Sequence, residues 1–306
     1  MQRSSWLAQF GDDWRPIAAA SRILALFGVY SAALCAANAT TLVAVWDLSR
    51  ADATASHLPI VPVAAFALLV PQLPGACRAR KAAPWAGIPL LALGLAVTAA
   101  SRTWCTFPNC APGLSLSAAG LILLWIGGFV LLFGLAAARL AAFPLLLMMA
   151  AVPLPPSAID TLTQLLKHGS AVAVELLFRL SGTTFHRDAF VFSFPQLSIE
   201  IADECSGIRS SIALMLTSLV AGHPFFERWW TKVLLALIVV PVAMLKNAIR
   251  IVALTLLSIH VDPGFLAGQL HHEGGSVFFL LALLMLSPAL PLLRNMETRA
   301  RGERSV

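Results

Sequence analysis

Asp203-Glu204-Cys205-Ser206-Gly207-Ile208-Arg209-Ser210-Ser211 is a polar island at the mouth of an apolar run, residues 212–220. What surrounds it decides the fold. The chain has 306 residues, 58% of them hydrophobic and 12% charged, where a soluble domain carries about 25% charged residues. Mean hydropathy is +0.82. Too little polar surface is available to cover a water-soluble body of this size. The composition predicts an all-α polytopic membrane protein, folded as one integral domain over residues 1–306. The net charge of +6 marks loops on one side of a membrane rather than a nucleic-acid partner.

A span needs about 20 apolar residues. Working outward from the island, about eight transmembrane helices are expected, at residues 23–46, 58–73, 85–100, 116–137, 141–154, 208–221, 233–257 and 275–293. The segment before the sixth span is different. Residues 158–180 place apolar side chains at helical spacing among Asp160, Gln164, Lys167, His168, Glu175 and Arg179, which predicts an amphipathic helix on the membrane. Residues 189–194 and 197–201 carry short aromatic and β-branched patches around Pro195-Gln196, which predicts a small hairpin. No cleaved signal peptide is expected at the N-terminus.

Basic residues gather in the N-terminal segment, the Arg78-Ala79-Arg80-Lys81 loop, the loop at 223–232 and the tail with Arg294, Arg299, Arg301 and Arg304. The positive-inside rule then puts both termini in the cytoplasm. The amphipathic helix and Cys205 face outward across the cell membrane. The five cysteines, Cys35, Cys77, Cys105, Cys110 and Cys205, are too scattered for a disulfide framework. Cys105 and Cys110 share an outward loop, either as a local disulfide or as a free pair. Cys35 and Cys77 read as structural.

Lys246, Asn247 and Arg250 lie inside the seventh span. A charge within a span costs at least about 2.5–3.5 kcal/mol, and spacings of three and four put all three on one helix face. The face either lines a polar site or pairs structurally with Glu204 or Glu273. Cys205 begins a helix, where the dipole favours a thiolate, and Arg209 stands one turn on. His271 and His272 precede the eighth span. A thiol, an intramembrane guanidinium and an outward histidine are the parts of a cysteine acyl-transfer site. No histidine or cysteine stands at ligand spacing to the histidine pair, so neither a metal nor a cofactor is expected.

Three stations in this order, Glu204-Cys205-Ser206-Gly207-Ile208-Arg209-Ser210, Asn247-Ala248-Ile249-Arg250-Ile251, and His271 four residues before Gly275 with Phe278-Phe279 beyond, resemble the exosortase/archaeosortase family. The resemblance covers about residues 110–290. It implies a less characteristic N-terminal part (1–110), a catalytic core (111–293) and a basic cytoplasmic tail (294–306). It also implies a membrane cysteine peptidase or transpeptidase that recognises a C-terminal sorting signal on exported proteins. Such a signal is a motif of the PEP-CTERM type, a hydrophobic span and a basic tail, and the product passes to a surface acceptor, lipid or glycan. By position, Cys205 is the nucleophile, Arg250 the second catalytic residue and His271 the third, with His272 as the alternative register. Glu204, Ser206, Arg209 and Asn247 fall on supporting positions. Two rival functions are an anion-handling transporter using Lys246, Asn247 and Arg250, and a non-catalytic scaffold of polysaccharide export.

Overall fold

A computed structural model describes residues 15–104, 110–203, 206–262, 264 and 275–302. Apart from three short strands the described elements are helical. By contacts the chain divides into two compact units, Met1–Pro156 and Ser157–Val306.

In the first unit, α1 (Arg15–Ala19), α2 (Ser21–Ala37) and α3 (Ala39–Ala51) lead into α4 (Ile60–Leu69) and α5 (Leu73–Arg78). The apolar run expected at 23–46 is not straight, because α2 and α3 meet at 72°. The bend falls at Asn38 (φ −117°, ψ 26°), whose backbone N–H and side-chain amide both donate to the Leu34 carbonyl, at 3.1 and 2.9 Å.

The helices α6 (Pro84–Trp104) and α7 (Ala111–Leu140) pack closely along their length. Glycines at heptad spacing make it so. A Cβ on Gly87 would lie 2.7 Å from Leu131 Cα, one on Gly94 2.9 Å from Leu124 N, and one on Gly127 3.0 Å from Leu91 N. In hydrocarbon, where no hydrophobic drive holds helices together, small residues gain packing by letting backbones approach. Phe129 and Phe133 stack at 4.7 Å in the core of this unit, with Trp125 and Ala137.

Inside α7, Gly134 has φ 88° and ψ 171° and breaks the helix. The carbonyls this frees are used: Phe133 O accepts from Lys81 N at 3.1 Å, and Leu132 O accepts from Arg80 Nε at 3.1 Å. The basic loop is thereby fastened to the break. The unit ends with α8 (Ala142–Leu147).

The second unit begins with α9 (Pro156–Leu180), the expected amphipathic helix. It buries Thr163, Leu166, Lys167, Ser170, Ala171, Val174 and Phe178, a stripe with steps of three and four. Three strands follow, β1 (His186–Asp188), β2 (Val191–Ser193) and β3 (Ser198–Glu200), antiparallel in that order. The expected hairpin is β2–β3, to which β1 adds a third strand. Phe192 stands opposite Arg187 on one side and Ile199 on the other. It packs with Phe178 and Phe194 against Ala248 and Val252. Losing a buried ring such as Phe178 would cost about 3–5 kcal/mol.

The remaining helices are α10 (Ile208–Gly222), α11 (Trp229–His260), α12 (Gly275–Leu286) and α13 (Ala289–Gly302). Leu214, Leu235, Val239, Ala282 and Leu293 form their shared core. Among the described residues five helices are long and apolar enough to cross a membrane, or seven if each of two bent pairs is one span. The expected count of eight is not reached. The helix at the expected sixth span, α10, has 15 residues, about 22 Å of helix against about 30 Å of hydrocarbon.

Candidate active site

The site is built on α9, the turn before α10, and the middle of α11. Gly207 caps α10 with φ 78° and ψ 13°, a left-handed conformation that glycine adopts at low cost. A Cβ there would meet Asn247 Cγ and Oδ1 at 3.0 Å. Asn247 is buried, and its amide donates to Ser170 Oγ at 3.2 Å. Asn247 thus joins α9 to the turn. Arg250, one turn along α11, is half-buried. Lys246 and Asn247 both meet the start of α10, at Ser210 and Gly207, and Arg250 stands one turn further along α11.

The depth of this contact explains the length of α10. Gly207 meets α11 at Asn247, thirteen residues before His260, and Gly222 meets Leu235. The two helices run antiparallel, so α10 begins alongside the middle of α11, about 20 Å below its C-terminal end.

The other supporting positions divide. Ser206 is buried, its N–H donates to Asp203 O at 3.1 Å, and its hydroxyl faces Ile208 N at 3.4 Å. Arg209 is exposed. Glu204, Cys205, His271, His272, Glu273 and Cys105 lie outside the described residues. Cys110 is disulfide-bonded, while Cys35 and Cys77 are free thiols.

Two lysines flank the turn. Lys167 Nζ reaches Asp203 Oδ1 at 3.0 Å and sits over the Phe190 ring at 4.5 Å from its centroid. Lys246 Nζ reaches Ser210 Oγ at 2.5 Å. Both lysines are buried. In the sequence Lys167 is one polar residue among several on an amphipathic helix. The signal that could have separated it is its phase: it shares the buried stripe with Leu166, Ser170 and Val174.

The transmembrane exosortase model, Exosortase_EpsH, matches residues 45–287. The chain belongs to the transmembrane exosortase family. The match takes in all three motif stations and begins at residue 45, inside α3. Neither the curated proteins nor the solved structures contain a match to this exosortase.

Proposed function

We propose that this exosortase is a cysteine transpeptidase that cleaves the C-terminal sorting signal of exported proteins through a thioester on Cys205. The observation that carries the reading is the contact of Gly207 with Asn247. It joins the motif station that contains Cys205 to the one that contains Arg250. Cys205 is two residues before Gly207, and Arg250 one turn after Asn247.

Cys205 attacks a peptide carbonyl, and its thiol proton passes to His271. The carbonyl oxygen becomes an oxyanion, stabilised by the Arg250 guanidinium, a role worth about 2.7–4 kcal/mol for a single donor. Collapse breaks the C–N bond, and the proton goes from His271 to the leaving amine. The acceptor, a lipid or glycan nucleophile, then takes the acyl group and restores the thiol. The substrate's hydrophobic span lies beside α10, α11 and α12 in the lipid.

The disulfide at Cys110 supports an oxidising compartment for that end of α7, and the Arg78–Lys81 loop supports the cytoplasm for its other end. We place the chain in the cell membrane with both termini cytoplasmic and the site toward the outer face. The test is substrate processing in cells that carry Cys205→Ala or Cys205→Ser. Loss of cleavage in both, with a thioester trapped on the wild-type Cys205, is expected. Undiminished cleavage would remove Cys205 as the nucleophile.

A further inference from the structure

We propose that a cavity at the end of α9 binds the phosphate of an anionic phospholipid, with Arg179 and Arg187 as donors and the lipid's acyl chain along Val172, Leu176 and Leu180. Such a site stands whether or not Cys205 is the nucleophile.

The cavity, of about 750 Å³, opens where α9 ends and β1 begins. Glu175 and Arg179 of α9, Thr184 and Phe185 of the connection, and Arg187 of β1 line it. The Glu175 carboxylate takes one terminal nitrogen from each guanidinium, Oε1 from Arg179 and Oε2 from Arg187. Two guanidiniums against one carboxylate leave this group with a net positive charge. Fastening the sheet to α9 needs only the Arg187–Glu175 pair. Arg179 adds a second cation, and its side chain stays largely exposed.

Arg187 is fixed in place before any ligand arrives. Its Nε donates to Ala189 O at 2.9 Å, and its guanidinium lies over the Phe192 ring, 5.5 Å from the centroid. Ala189 has φ 51°, and among the described residues it is the one non-glycine residue with a positive φ. Left-handed backbone is costly for a residue with a Cβ. The carbonyl of this strained residue is the one that holds the guanidinium. A fixed planar fork suits the oxygens of a phosphate and loses little freedom on binding them.

The helix face beside the cavity decides between a lipid and a peptide carboxylate. In its second half α9 buries Ala171, Val174 and Phe178. On the opposite face Val172, Leu176 and Leu180 are 57–75% exposed. Steps of seven and three put Arg179 on that same face, in line with Val172 and Leu176. An outer face that met water would carry polar residues there. An apolar stripe that ends at an arginine matches a lipid, with the chain along the stripe and the anionic headgroup at the guanidinium. The protein spans a membrane, which supplies such a lipid.

In the experiment the full-length chain in detergent is titrated with dioleoyl phosphatidylglycerol or with dioleoyl phosphatidylcholine, whose choline cation offsets its phosphate. Bound lipid is counted by native mass spectrometry, and the melting temperature is read alongside. Wild type should hold one phosphatidylglycerol about tenfold more tightly than phosphatidylcholine and melt higher in its presence. Arg179→Gln, at an exposed position, should weaken phosphatidylglycerol about tenfold and leave the lipid-free melting temperature unchanged. Arg187→Gln should lose the preference as well, and melt lower without lipid because Glu175 and Ala189 lose their partner. Leu176→Asn should weaken both lipids, since it acts on the chain and not on the headgroup. Equal phosphatidylglycerol affinity in wild type and Arg179→Gln overturns the site. Displacement of the bound lipid by inorganic phosphate at equal concentration would make it a free-phosphate site. Displacement by an end-blocked peptide with a single glutamate would make it a peptide site. Either displacement overturns the lipid assignment.

Discussion

Gly207 lies against Asn247 so closely that a Cβ on the glycine would stand 3.0 Å from the asparagine amide carbon. The contact also sits at a left-handed residue, φ 78°. Gly207→Ala therefore meets two penalties, about 1–2 kcal/mol for the left-handed backbone and a displaced Asn247. Loss of sorting-signal processing is expected with the chain still inserted in the membrane. Processing at the wild-type level would show that the turn tolerates a shift of Asn247.

Arg250 and the histidine pair make a graded test of the chemistry. Arg250→Ala should lower processing by about 10²–10³-fold. Arg250→Lys should recover little of it, because an ammonium lacks the planar fork that holds an oxyanion. His271→Ala should abolish processing while His272→Ala leaves most of it. The opposite result would move the assignment by one residue. All four variants are scored by the ratio of cleaved to full-length substrate.

What was legible in the sequence follows from what periodicity can encode. Steps of three and four in residues 158–180 identified a one-sided helix, and the same spacing put Lys246, Asn247 and Arg250 on one face. Periodicity names a face but not its partner. The Lys167–Asp203 pair joins residues 36 positions apart, and nothing in either local stretch points to the other. Hydropathy windows also miss depth. Residues 208–221 read as a span because they are apolar, whereas α10 starts beside the middle of α11. The bend at Asn38 was hidden for a similar reason: one polar residue hardly lowers a window average.

Gly134 predicts a stability effect within the first unit. A Cβ there would come within 1.7 Å of Lys81 O, at a residue already left-handed. Gly134→Ala should displace the loop that bonds to the Leu132 and Phe133 carbonyls. Two exposed carbonyls in an apolar setting would each cost about 1–3 kcal/mol. A lowered melting temperature in detergent is expected. An unchanged melting temperature would mean that the loop does not stabilise the break.

A last prediction concerns the end of α11 opposite the site. Glu297 of α13 is buried and accepts from Arg228 N at 2.6 Å and Glu227 N at 3.2 Å. Its carboxylate thereby caps the start of α11, where the helix dipole favours an anion. Beside it Lys232 Nζ donates to His223 Nδ1 at 2.9 Å. Burial first, and the charge of Lys232 second, push the His223 imidazole down to about 4. An unfolded histidine titrates near 6.5, so the unfolded chain binds the proton first as pH falls. The contribution of neutral His223 is fully present above about pH 6.5 and is lost progressively toward pH 4. His223→Gln, which keeps an acceptor for Lys232 but does not titrate in this range, should flatten the fall in melting temperature between pH 7 and 4. Equal pH dependence in the two proteins would remove His223 as the titrating group. Glu297→Gln should lower the melting temperature throughout, because the amide caps α11 without the charge that faces Lys232.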